Sequence, residues 1–303
     1  MLGGLSGENS EIVGAWLLLG SALLFGLPHG AYDFWILFDL TRRERQSFRA
    51  FFGLLTTYLI LALTVVVVWY FLPSVVLIGF LALTAWHFGS GDAIWETENR
   101  KDWLINSLGR GLLVMSAPLA FYQTESGSVL AKLDAKSAEI LLSVAPYTLA
   151  IGIVLISLNN SVALFQDFKL QTENRLLTLF EAFFLLLFFW LTTPLLAVTV
   201  YLIGVHSWRH LLRLEIYEQR EKAFERKNLR QIISRFHQRA LPVTLISLTG
   251  LGLIFWLWEL RISDLTNYTS AYLVLLSALT VPHAALITWT ELNLPKPRLF
   301  YRI

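Results

Sequence analysis

AFFGLLTTYLILALTVVVVWYFL, residues 50–72, carries no charged side chain from one end to the other. About 20 consecutive apolar residues are needed to cross the hydrocarbon core of a bilayer as a helix, so this run is long enough to span one. A helix of that kind satisfies its own backbone hydrogen bonds, which is what the lipid interior demands. Eight further stretches read in the same way: Glu11 to Asp39, Ser74 to Gly89, Trp103 to Tyr122, Ser137 to Leu158, Arg175 to Leu191, Thr193 to Arg213, Leu241 to Arg261 and Tyr268 to Glu291. The fold expected is all-α, a single integral membrane domain over residues 1–303 with about nine spans. Gly26 and Pro28 interrupt the first stretch and predict a kink beside His29. Leu158 to Asn174 is polar and reads as a loop. Met1 to Ser10 lack the basic start of a signal peptide, so the first span is expected to be retained.

Basic residues provide an independent check, because cytoplasmic loops are enriched in Lys and Arg. With the N-terminus outside and the C-terminus cytoplasmic, 19 of the 24 Lys and Arg fall inside and three, Lys132, Lys136 and Arg261, fall outside. Arg110 and Arg209 lie within spans. Residues 214–240 alternate charge with Ile216, Phe224, Leu229, Ile232, Ile233 and Phe236, the pattern of a cytoplasmic amphipathic helix at the interface.

Composition closes off several chemistries. Hydrophobic residues make up 55% and charged residues 15% of the chain, well below the ~25% charged of soluble domains. A net charge of +2 offers no electrostatic footprint for nucleic acid. There are no cysteines, which removes thiolate ligands, disulfides and cysteine nucleophiles.

What stands out is the placement of histidine. Five of the six, His29, His87, His206, His210 and His283, fall inside spans and at one depth, toward the cytoplasmic side. Ionisable residues there face the bundle interior and mark functional sites. His206 and His210, four residues apart, share one helix face, and bundles build metal sites from such facing side chains. Without sulfur, an imidazole site suits iron, copper or zinc. Asp33, one turn after His29, is placed to orient an imidazole through its second nitrogen, to ligate, or to pair with Arg209. His283, after Pro282, is placed to ligate or to hold the second shell. His237 sits among charges at the surface and is read as solvated. Glu181, early in the sixth span, is read as interfacial.

The segments Gly26-Leu27-Pro28-His29-Gly30-Ala31-Tyr32-Asp33, Trp86-His87-Phe88-Gly89, His206-Ser207-Trp208-Arg209-His210 and Pro282-His283 occur in order along nearly the whole chain. Together they resemble the motifs of the Brp/Blh family of β-carotene 15,15′-dioxygenases. The resemblance implies a ferrous, O2-dependent enzyme of a bacterial or archaeal cell membrane that splits the central double bond of β-carotene into two all-trans-retinal molecules for a rhodopsin. It also implies that the iron ligands fall on His29, His87, His206 and His210. Tyr32, Trp86, Phe88, Trp208 and Trp289 neighbour the histidines and are expected to line the polyene. The competing classes are a histidine-ligated membrane hydroxylase or desaturase, a b-type cytochrome, and a non-enzymatic metal or small-molecule transporter. The first calls for more histidines than six, and the last for an inverted repeat that the sequence does not display.

Overall fold

The computed structural model describes residues 16, 17, 20, 26–43, 48–93, 99–166, 172–219, 229–259 and 265–293, and among them there is no strand. The helices are α1 (Leu27–Ala31), α2 (Asp33–Arg43), α3 (Phe48–Phe71), α4 (Pro73–Ala93), α5 (Arg100–Phe121), α6 (Gln123–Gln166), α7 (Thr172–Leu191), α8 (Pro194–Tyr201), α9 (Ser207–Gln219), α10 (Leu229–Glu259) and α11 (Leu265–Asn293), with a π-turn at Leu202–His206 joining α8 to α9. Among the described residues, six helical segments are long and apolar enough to cross a membrane: Phe48–Phe71, Pro73–Ala93, Arg100–Phe121, Gln123–Ser161, Pro194–Arg213 and Leu273–Asn293. Residues 11–15, 18, 19 and 21–25 of the expected first span lie outside the described residues, as do 220–228 and the tail from 294.

Burial sorts these helices into an inner and an outer set. In α5, 56% of the spanning window is buried inside the protein; in α3, the stretch quoted at the outset, 11% is. A helix that is apolar all round and so little covered presents its side chains to lipid. Leu59, Leu63 and Phe71 are exposed in this way. Polar ties hold α3 to the bundle, the Trp69 indole N–H donating to the Ser277 hydroxyl of α11 at 2.6 Å and the Tyr58 hydroxyl donating to the Asp33 carboxylate of α2 at 2.7 Å.

The inner helices approach closely because glycine lets them. A Cβ on Gly89 would fall 1.9 Å from the Ser107 carbonyl oxygen, and one on Gly111 would fall 2.0 Å from the Ala85 carbonyl oxygen. These reciprocal contacts seat α4 on α5 backbone to backbone, the small-residue packing that substitutes for hydrophobic drive in a membrane. Gly152 of α6 meets Gly109 of α5 in the same manner, a Cβ there lying 2.8 Å from the Gly109 carbonyl oxygen.

Two local expectations change. Residues 158–166 are not loop but the last turns of α6. The polarity of Asn159 and Asn160 is spent inside, both side-chain amides donating to Asn106 of α5 at 3.1 and 3.0 Å. In the first span the backbone is π-helical at the expected Gly26, α1 starts at Leu27 with Pro28 in its first turn, where its missing N–H removes no hydrogen bond, and a second interruption falls at Tyr32 between α1 and α2. Within α6 the backbone leaves helical geometry at Asp134 (φ −161°, ψ 111°). The Asp134 carboxylate accepts from the Ser137 N–H at 2.9 Å and from Ser74 of α4 at 2.7 Å, capping the turn that follows.

Candidate metal centre

Five histidines reach the bundle interior from five segments. His29 comes from α1, His87 from α4, His206 from the last position of the π-turn, His210 from α9 and His283 from α11. Each is buried. The π-turn matters to His206, since an extra residue in one turn re-aims the side chains that follow, and such turns are frequent at functional sites. His206 and His210 share a face as their spacing predicts, with rings 6.5 Å apart and inclined by 23°.

The rings converge through their nitrogens. His29 Nε2 lies 3.1 Å from His283 Nε2, which lies 3.2 Å from His87 Nε2, which lies 3.2 Å from His206 Nε2. One nitrogen from each of His29, His87 and His206 lies within 4.8 Å of the others, and the same holds for His29, His210 and His283. Lone pairs packed this tightly repel unless a cation or a proton stands between them. Metal–nitrogen bonds of about 2.1 Å place neighbouring ligand atoms about 3.0 Å apart in an octahedral shell and about 3.4 Å in a tetrahedral one. The observed 3.1–3.2 Å lies between these limits, so the residues fit a single metal ion.

Around the rings stands a shell of charge. The His283 Nδ1–H faces both oxygens of Asp33, at 2.9 and 2.8 Å, and Asp33 also accepts from the Tyr58 hydroxyl at 2.7 Å. The His206 Nδ1 lies 3.4 Å from Asp92 Oδ1. Asp92, wholly buried, accepts from the Tyr201 hydroxyl and lies 3.5 Å from the Arg209 guanidinium. Arg209 and Arg110 both bind Glu181, at 2.8 and 2.7 Å. Arg213 meets His210 and the Glu291 carboxylate. A carboxylate behind an imidazole sets its tautomer and orientation and strengthens it as a ligand.

Asp33 therefore orients an imidazole, but that of His283 rather than the His29 one turn away. Its expected alternative partner, Arg209, is engaged by Glu181 and Asp92. Glu181 sits part-buried between two arginines and is a structural counterion within the bundle. Asp92, Tyr201, Tyr58, Arg213 and Glu291 were not expected at the site. Asp92 carried a readable signal, an acid five residues after His87 in an otherwise small and apolar run. Changing Asp92→Asn keeps the shape but removes the charge behind His206. Metal affinity should fall about 10–100-fold, as measured by competition with a chelator on the purified protein.

Of the expected lining residues, Phe88 abuts the cluster, its ring 4.4 Å from that of His206. The Trp86 indole donates to Thr288 of α11 at 3.0 Å and packs edge-on against Trp103. Tyr32 stacks on Phe236, with Trp208 against the same cluster, and Trp289 is exposed. The apolar side chains Ile232, Ile233 and Phe236 at the start of α10 pack onto Tyr32 and Leu211. The His237 Nδ1–H donates to the Ile233 carbonyl, 3.0 Å away on its own helix and apart from the five.

Comparison with known proteins agrees with this picture. The family described as beta-carotene 15,15′-dioxygenase matches residues 21–291. The probable beta-carotene 15,15′-dioxygenase Blh of Halobacterium salinarum is 27% identical over 291 residues, covering 90% of this chain and 83% of that protein. A beta-carotene 15,15′-dioxygenase from an uncultured marine bacterium is 26% identical over 275 residues, covering 90% and 92% respectively. No solved structure matches the chain. A family match spanning both the first and the last of the converging histidines leaves one conclusion: the chain belongs to the β-carotene 15,15′-dioxygenase family of enzymes.

Proposed function

We propose that this protein is an iron-dependent oxygenase of a bacterial or archaeal cell membrane that cleaves the central 15,15′ double bond of β-carotene with O2. One carotene and one O2 balance two molecules of all-trans-retinal, the carbon–carbon double bond breaking and each new aldehyde taking one oxygen atom. The observation that carries the reading is the meeting of His29, His87, His206, His210 and His283 inside a membrane bundle of this family. A ferrous ion held by these neutral imidazoles would supply the redox chemistry that O2 requires.

The chain's own residues do the rest. Imidazoles fixed by Asp33 and Asp92 hold the ion, and the apolar walls that include Phe88 exclude water from it. The polyene partitions into lipid and enters from the bilayer between helices, while Tyr32, Trp86, Phe88, Trp208 and Trp289 form the surfaces that flank its path. The chain forms a single domain of about nine spans, with the N-terminus outside and the C-terminus cytoplasmic. The basic segment 214–240 lies at the cytoplasmic interface. The retinal released in the membrane passes to a rhodopsin.

Expression in cells that accumulate β-carotene tests this reading. Colour should fade and retinal should appear, both dependent on iron and air. Carotene that persists with the protein in the membrane and iron supplied would remove the substrate from the account.

A further inference from the structure

Threonines inside these helices share a habit. Thr57, Thr64, Thr148, Thr244, Thr249 and Thr280 each donate the hydroxyl to the carbonyl four residues back, at 2.6–3.2 Å. Thr84 does not. It is 7% exposed, and its hydroxyl has no hydrogen-bond partner among the described residues. Ser207, 4% exposed, is in the same condition. A buried hydroxyl without a partner is costly. Two of them beside one site point to a partner that arrives from outside the chain.

Both stand in the same relation to the histidine cluster. Thr84 is three residues before His87 in α4, within the buried stripe Leu77, Phe80, Thr84 and His87. Ser207 is three residues before His210 in α9. Helix side chains lean toward the helix N-terminus, so each residue lies over the turn that holds its i−3 neighbour. The rings of His87 and His210 therefore come down beside these two hydroxyls. Thr280 has the same place before His283 but is engaged by the Leu276 carbonyl at 2.6 Å. Gly26 and Ile203, before His29 and His206, have no polar side chain. The Thr199 hydroxyl is also without a partner, but it lies two turns from His206 rather than one.

β-Carotene is a hydrocarbon and gives a hydroxyl nothing to bind. Its cleavage puts one oxygen on each of the two carbons that separate, and a carbonyl oxygen accepts hydrogen bonds. We propose that Thr84 and Ser207 are catalytic residues whose hydroxyls donate hydrogen bonds to the two aldehyde oxygens as they form beside the histidine cluster. The hydroxyls keep their protons and make no covalent bond; both oxygens come from O2, so the balance is that of the cleavage itself. Donors fixed in a dry site stabilise charge that develops on oxygen without having to reorganise. The inference rests on the reading of the site as a carotene-cleaving centre and adds the groups that recognise the oxygenated ends.

The test uses the full-length, iron-loaded protein in detergent, with Thr84→Val, Ser207→Ala, the two combined, and Thr84→Ser. All-trans-retinal bound to the parent under argon should show a carbonyl stretching band below its position in hydrocarbon solvent, read by infrared difference spectroscopy. Each single variant should return part of that band to the hydrocarbon position, and the double variant all of it. Affinity for retinal should fall about tenfold per hydroxyl, while affinity for β-carotene, which has no oxygen, stays at the parent value. In a single turnover, bleaching of bound carotene should slow about tenfold in Thr84→Val, and Thr84→Ser should keep the parent rate. Iron content should be unchanged in all four. Stability separates this role from a structural one. Removing a hydroxyl that has no partner in the resting protein should raise the midpoint of thermal unfolding, whereas removing one tied to a carbonyl or a resident water lowers it. Thr244→Val, whose hydroxyl donates to the Ala240 carbonyl at 2.9 Å, is the control and should melt lower with parent turnover. A parent carbonyl band and parent rate in the double variant, or a lowered midpoint in Thr84→Val, overturns the assignment. A parent protein that forms no retinal from carotene overturns the proposed function and this inference together, whereas one that forms retinal equally well without the two hydroxyls overturns the inference alone.

Discussion

Gly111→Ala should disable the enzyme, although the residue touches no histidine. Its added methyl group would fall 2.0 Å from the Ala85 carbonyl oxygen, two residues before His87. Backbone cannot rotate out of the way as a side chain can, so α4 and α5 must part by about 1 Å to reach even the 3.0 Å limit that real Cβ contacts respect. That displacement is carried directly to His87. Misplacing a reacting constellation by 1 Å costs about 10²-fold in rate, and overpacking a tight contact costs about 1–3 kcal/mol of stability or more. Turnover per solubilised chain should therefore drop about 100-fold, along with the yield of monodisperse protein. Gly89→Ala should act alike through the Ser107 carbonyl. Gly79→Ala, on the same helix but with open space around it, is the control and should be neutral. Normal yield and turnover in Gly111→Ala would mean that the two helices are not seated on each other as described.

The second large effect is His87→Ala. His87 Nε2 lies 3.2 Å from both His206 and His283, and so joins the two carboxylate-backed rings. Its removal should abolish bound iron and retinal formation together, and His206→Ala should do the same. His237→Ala should leave both unchanged, because that ring pairs with its own helix at Ile233. Iron analysis and chromatographic assay of retinal on the same preparation check this; wild-type iron content in His87→Ala would detach that residue from the metal.

Much of this arrangement is legible in the chain, for physical reasons. The apolar run 50–72 reads as a membrane-spanning helix because it carries no charge over a length that crosses a bilayer, and the structure leaves most of its surface uncovered by the rest of the protein. Histidines at one depth are conspicuous because a bilayer makes them costly. The partners of those histidines are harder to foresee. Asp33 serves His283, 250 positions away, and Arg213 serves His210, one turn away. Helical periodicity assigns a residue to a face but not to the helix that the face meets. The same limit explains Asn159 and Asn160, whose polarity reads as loop until Asn106 of α5 is seen to satisfy it. Glu181 reads as interfacial for the same reason, its two arginines coming from α5 and α9.

The central claim is that imidazoles from separate helices bind one ion. Iron K-edge X-ray absorption on the anaerobically purified protein addresses it directly. The account predicts one iron per chain in a shell of nitrogen and oxygen scatterers near 2.1 Å, with the outer-shell pattern of several imidazole rings. A protein that cleaves carotene while holding no iron, or iron whose spectrum lacks imidazole scattering, would contradict it.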